Sequence, residues 1–107
     1  METALDTYRN QVTRLPLCDA TFFAEAMARY RARDESAARD ISGRCLRVAL
    51  RLGEERARQL GSPDILDAVQ EANRGLWKAI TTFAGNDVDE FLTYAQARIQ
   101  EHLPALA

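Results

Sequence analysis

Four residues of this chain recur at intervals of four, three and four: Leu66, Gln70, Asn73 and Trp77. At about 100° per residue that spacing lays them along one stripe of a helix. Beside them stand Asp67, Glu71, Arg74 and Lys78. A large aromatic next to two amides and a carboxylate is the chemistry of a protein interface, where the ring supplies contact area and the polar groups fix register. The same stripe also fits a helix whose tryptophan is covered by a neighbour and whose polar residues are a solvated face. Other chemistries find little material. Cys18 and Cys45 are too few for a disulfide framework and too far apart for a CxxC site, so they read as small buried apolar residues. The single histidine, His102, has no partners at ligand spacing, so no metal is expected. There is no Gly-rich phosphate loop, no GxSxG elbow and no nucleophile–base arrangement; neither catalytic residues nor a cofactor are expected.

Those side chains need elements to hold them. The period is helical throughout, with no alternating strand. A first helix covers roughly Ala4 to Val12 and stops before Leu15-Pro16, since proline disfavours a helical residue ahead of it. Asp19 caps a second, with Phe23, Met27 and Tyr30, or Phe22, Ala26 and Tyr30, on its inner side. A third runs from about Glu35 to Leu60 on a stripe of Ile41, Cys45, Val48 and Leu52, and Gly61 suits its end. The fourth opens with Ser62-Pro63-Asp64, read as N-cap, first-turn proline and dipole-matched acid, and ends near Phe83. Its inward face is Ile65, Val69, Ala72, Leu76, Ala79, Ile80 and Phe83. The fifth opens at Asp87 with Glu90 in capping-box position, carries Phe91, Leu92, Ala95 and Ile99 inward, and is limited by Pro104. The expected fold is all-α: a compact bundle of about five helices forming one domain over residues 1–107.

Composition agrees. Hydrophobic residues make up 47% and charged residues 28%, a globular balance rather than that of a disordered tail. A net charge of -2 argues against a nucleic-acid binder held by bulk positive charge. No apolar run reaches membrane-spanning length, and the opening METALDTYRN lacks a basic start followed by an apolar stretch. A cytoplasmic location without membrane contact is the expectation. Arg29, Arg31, Arg33, Arg39, Arg44, Arg47, Arg51, Arg56 and Arg58 form the only basic concentration and alternate with acids, as a salt-bridged solvated surface does.

The stretch Leu66-Asp67-Ala68-Val69-Gln70-Glu71-Ala72-Asn73-Arg74-Gly75-Leu76-Trp77-Lys78-Ala79-Ile80 resembles the core-binding segment of bacterial RNA polymerase sigma factors of the sigma-70 type, in their region 2. The likeness extends to Tyr8 through Pro16-Leu17, to Arg33-Asp34-Glu35-Ser36-Ala37-Ala38-Arg39 (a G-D-x-x-A-R element in the family), to Leu46-Arg47-Val48, and to Phe91-Leu92-Thr93-Tyr94-Ala95 with Ile99. The resemblance implies a helical domain of transcription initiation. Asp67, Gln70, Glu71, Asn73, Arg74 and Trp77 would bind the coiled coil of the RNA polymerase clamp. Phe91, Thr93, Tyr94 and Arg98 would be the promoter −10 contacts.

The DNA side departs from the family pattern. After T-Y-A the family carries a tryptophan pair where this chain has Gln96-Ala97-Arg98, and its I-R-Q becomes Ile99-Gln100-Glu101. Base stacking on an aromatic is worth about 1–3 kcal/mol per base, which alanine does not supply. From Ala84 to Ala107 stand Asp87, Asp89, Glu90 and Glu101 against Arg98, a net charge of -3 that repels a phosphate backbone. Promoter contacts are therefore expected to be weakened or lost, and no −35-reading domain is expected within residues 1–107. The alternative is an interaction module that keeps only the scaffold, such as a homodimer burying Trp77.

Overall fold

The computed structural model describes residues 2–106 as five helices joined by short connections, with no strand among them. Helix α1, Ala4–Thr13, is closed at its start by a capping box between Thr3 and Asp6. In α2, Ala20–Arg31, Asp19 accepts the Phe22 N–H at 2.7 Å. Phe23, Ala26 and Met27 are its buried face, with Phe22 and Tyr30 packed at the margin. The turn after α2 is closed by two crossed backbone bonds, Arg33 to Tyr30 at 3.0 Å and Asp34 to Arg29 at 2.9 Å. This closure puts Arg33 at φ 72, the left-handed region that glycine usually fills.

Helix α3, Glu35–Leu60, is capped by Asp34 and ends where Gly61 takes φ 64. At 26 residues it spans about 39 Å and forms the spine. Helix α4, Ile65–Thr82, lies between α3 and α5, Val88–His102. Its start differs from the sequence expectation by a turn's edge. The Ser62 hydroxyl accepts the Asp64 N–H at 3.1 Å, a local turn, and Asp64 keeps a non-helical ψ of 63; the helix therefore begins at Ile65 with no side-chain cap. At α5, Asp87 accepts the Glu90 N–H at 3.2 Å, and the return bond of a capping box is not formed.

The core explains the order of packing. Phe23, Ile41, Leu76, Ile80, Phe91 and Ile99 are fully buried in one cluster, and Val12, Leu50 and Val69 form a second beneath α1. Phe23, Phe83 and Phe91 interlock, with centroids 4.8 Å apart for Phe23–Phe91 and a near-perpendicular 5.3 Å contact for Phe83–Phe91. Two helix crossings are tight enough to require glycine. A Cβ on Gly53 would stand 2.8 Å from Val69 Cα, and one on Gly75 would stand 2.6 Å from Ile99 Cα. The inward face of α4 is thus gripped from both sides, which fixes what it turns outward.

The arginines are a solvated salt-bridge surface only in part: Arg33, Arg39, Arg51 and Arg58 are exposed and Arg58 pairs with Glu55. Arg29 does bridge Glu25, Asp34 and Asp40, and Arg9 of α1 meets Glu54 at 2.9 Å. The rest that act between elements mostly donate to carbonyls. Arg47 holds the chain after α1 through the carbonyls of Thr13 and Leu15. Arg31 reaches the Gly85 carbonyl and the Asn86 side chain between α4 and α5. Arg56 ties α3 to Gln100 and the Pro104 carbonyl.

Candidate functional site

Helix α4 presents an outward arc of about 160°, taken at 100° per residue from Asn73 round to Glu71. The inner arc is filled by Ala68, Val69, Ala72, Gly75, Leu76, Ala79 and Ile80, all buried. On the outer arc Asp67, Gln70, Arg74, Trp77 and Lys78 are exposed and Glu71 is half-buried. Trp77 leaves 43% of its surface open, so no neighbouring helix covers it. From Leu66 to Trp77 the stripe runs about 17 Å along the axis.

The side chains on this arc differ in freedom. Glu71 accepts from Arg74 at 2.6 Å, an i,i+3 pair that holds both against the helix. Asn73 sits at the edge, half-buried, and donates from Nδ2 to the Tyr8 hydroxyl of α1 at 3.1 Å; its Oδ1 is buried without a partner. Asn73 is therefore as much a tie between α1 and α4 as a surface group. Asp67 and Leu66 border an open concavity of about 370 Å³ shared with Thr3, Leu5 and Pro63.

Of the residues expected to face DNA, Thr93, Tyr94 and Arg98 lie close together and Phe91 does not join them. Phe91 is the correction. It is 0% exposed, locked between Phe23 and Phe83, and its ring reaches no ligand while the core is closed. Thr93 is exposed, and its hydroxyl donates to the Asp89 carbonyl at 3.2 Å. Tyr94 is half-buried; its hydroxyl is 2.7 Å from that of Thr82 and its ring lies 5.5 Å from Phe83. Arg98 stands over the Tyr94 ring at 4.9 Å and pairs with Glu101 at 2.8 Å. The one arginine of this segment is thus already committed to a ring and a carboxylate. Phe83, Thr93 and Tyr94 line an open concavity of about 530 Å³ together with Asp87, Asp89 and Glu90. Three carboxylates thus stand beside its aromatic side chains.

Three features escaped the sequence. Arg31 pins the backbone between α4 and α5, which shapes that concavity. Gly53 lets α3 approach α4 closely, and a glycine inside an otherwise regular amphipathic helix was the available signal. Cys18 and Cys45 are not two independent buried residues. Cys45 is buried, Cys18 is half-exposed, and the two thiols interact.

Among the described residues no group of acidic, histidine and cysteine side chains is arranged to hold a metal ion. Among the same residues no helix is long and apolar enough to cross a membrane. The family model described as sigma-70 region 2 matches residues 38–102, more than half of the chain and all of α4 and α5. No curated protein and no solved structure matches the chain at a significant level.

Proposed function

The chain belongs to the sigma-70 region 2 family, and we propose that its sigma-factor-like role in transcription initiation rests on docking of the outer arc of α4 against the clamp coiled coil of the RNA polymerase core. The family is one of polymerase-binding, non-enzymatic domains. The observation that carries the proposal is Trp77: a tryptophan 43% exposed, on the same outward arc as Gln70, Arg74 and Glu71, on a helix whose opposite side is fully occupied by the core. Exposure of so large an aromatic costs hydration free energy in the isolated domain, and burial against a partner recovers it.

In the same reading promoter −10 contacts are weak or absent. Phe91 is in the core, Arg98 is engaged, and three acids are among the residues that line the Phe83–Tyr94 concavity. Each acid repels a phosphate that would have to pass it.

Pull-down of the purified domain on the isolated clamp coiled coil, with Gln70→Ala and Glu71→Lys alongside, tests the assignment. Retention of the parent with loss on Glu71→Lys supports it. Absence of binding, or binding indifferent to both changes, refutes it. Light scattering in parallel separates the alternative: a homodimer dissolved by Trp77→Ala would assign the arc to self-association.

A further inference from the structure

Cys18 lies between α1 and α2, immediately before the cap of α2, and Cys45 lies on the buried face of α3. The fold makes them neighbours although 27 residues separate them in the chain. Both line one cavity of about 200 Å³ with Leu17, Arg44, Val48 and Leu92. Cys18 is half-exposed, so a small reagent reaches it, whereas Cys45 is 2% exposed. Arg44, held over the Phe22 ring at 3.7 Å, borders the same cavity.

From this geometry we propose that Cys18 and Cys45 form a peroxide-reactive dithiol that closes to an intramolecular disulfide, covalently tying the start of α2 to the middle of α3. The Cys18 thiolate attacks one oxygen of a hydroperoxide, the O–O bond breaks, and Cys18 becomes a sulfenic acid as water or an alcohol leaves. The Cys45 thiol then attacks the Cys18 sulfur; the S–S bond forms, the S–OH bond breaks, and the Cys45 proton departs with the hydroxyl as water. The peroxide takes up the two electrons lost by the two thiols. Thiol reduction reverses the tie.

The division of labour follows from the surroundings. A hydrogen bond from Cys45 pulls the Cys18 thiol below its ordinary 9.0, against desolvation; the Arg44 charge adds to the lowering and Asp19 opposes it. Cys45 is pushed up, first by its bond to Cys18 and then by burial. Cys18 is therefore the attacking sulfur and Cys45 the resolving one. The inference is independent of the polymerase-docking proposal, since neither cysteine lies on α4.

The test treats the full chain with hydrogen peroxide and reads denatured thiol count, intact mass and dimedone labelling. In the parent, both thiols disappear together, the mass falls by two hydrogens, the protein stays monomeric and little dimedone is taken up. Peptide mapping of the parent recovers a Cys18–Cys45 crosslink, a readout that needs no variant. Cys18→Ser leaves Cys45 reduced, and Cys45→Ser leaves a Cys18 sulfenate that dimedone captures. Retention of both thiols in the parent, disulfides only between chains, or equal dimedone uptake by the parent and Cys45→Ser would each overturn the proposal.

Discussion

A methyl group added at Gly75 would stand 2.6 Å from Ile99 Cα and 2.9 Å from the Arg98 carbonyl oxygen. Both are backbone atoms of α5, so no rotamer change makes room. Ordinary contact at a Cβ begins at 3.4 Å, and α5 must therefore retreat from α4 by about 0.8 Å. An opening of about 0.5–1 Å forfeits a quarter to a half of each dispersion contact it stretches. Forced insertion into a packed interior costs about 1–3 kcal/mol, and a clash of backbone with backbone sits at the upper end. Removing an interior glycine returns about 1 kcal/mol of backbone entropy. The net effect of Gly75→Ala is a loss of about 2 kcal/mol, or about 8 °C of melting temperature in a chain of this size. Gly43, inside α3, supplies the control because nothing lies within 4 Å of its added Cβ. Gly43→Ala keeps only the entropic gain and raises stability by up to about 1 kcal/mol. Thermal and urea unfolding followed by circular dichroism compare the two. Equal shifts, or a Gly75→Ala variant more stable than the parent, would refute the close crossing of α4 and α5.

Arg33 at φ 72 is strained by about 1–2 kcal/mol relative to glycine, of which the looser unfolded chain takes back about 0.5–1; Arg33→Gly raises stability by about 0.5–1 kcal/mol, and an unchanged or lower unfolding midpoint contradicts the crossed-bond turn after α2. The Asp34 carboxyl is held below the ordinary 3.8, first by the Ser36 hydroxyl and then by Arg29. A depressed carboxyl stabilises the fold above the unfolded value and loses that contribution as pH falls through the lowered native value. Melting temperature is accordingly flat above about pH 5 in this respect and declines below 3.8. Asp34→Asn flattens part of that acid limb, and an identical limb in parent and variant rules out the bond. Reversing two acids that line the Phe83–Tyr94 concavity, Asp89→Lys with Glu90→Lys, moves the 84–107 segment from -3 to +1. Single-stranded DNA binding then rises with a salt slope of about −0.7 per phosphate contacted; a salt-insensitive signal, or none beyond the parent's, contradicts the electrostatic account of the weakened promoter side.

Much of the fold was legible because local rules and burial agree. Asp19 and Gly61 stand at helix ends where a cap and a left-handed residue are needed, and Val69, Ala72, Leu76, Ala79 and Ile80 of the inward face read from α4 are buried, whereas Ile65 and Phe83 at its two ends are half-buried. The Ser62-Pro63-Asp64 start failed because Ser62 closes its own turn on Asp64 before any helical bond forms. At the DNA side two lines of reasoning conflicted over Phe91. The helical period placed it in the core, whereas likeness to the family placed it on promoter DNA; burial between Phe23 and Phe83 favours the period. The pairing of Cys18 with Cys45, and the bonds of Arg31, Arg47 and Arg56 to distant carbonyls, were illegible for one shared reason. Each depends on which helices become neighbours, and no local spacing encodes that.

The outward arc of α4 carries the functional account, and titration calorimetry of the domain against the isolated clamp coiled coil tests it most directly. The parent binds, and Trp77→Ala, which removes the central aromatic without touching the core, weakens binding by about 2 kcal/mol or more, roughly 30-fold. A parent that releases no heat of binding and is not retained by the coiled coil, or a Trp77→Ala variant that binds as tightly as the parent, would contradict it.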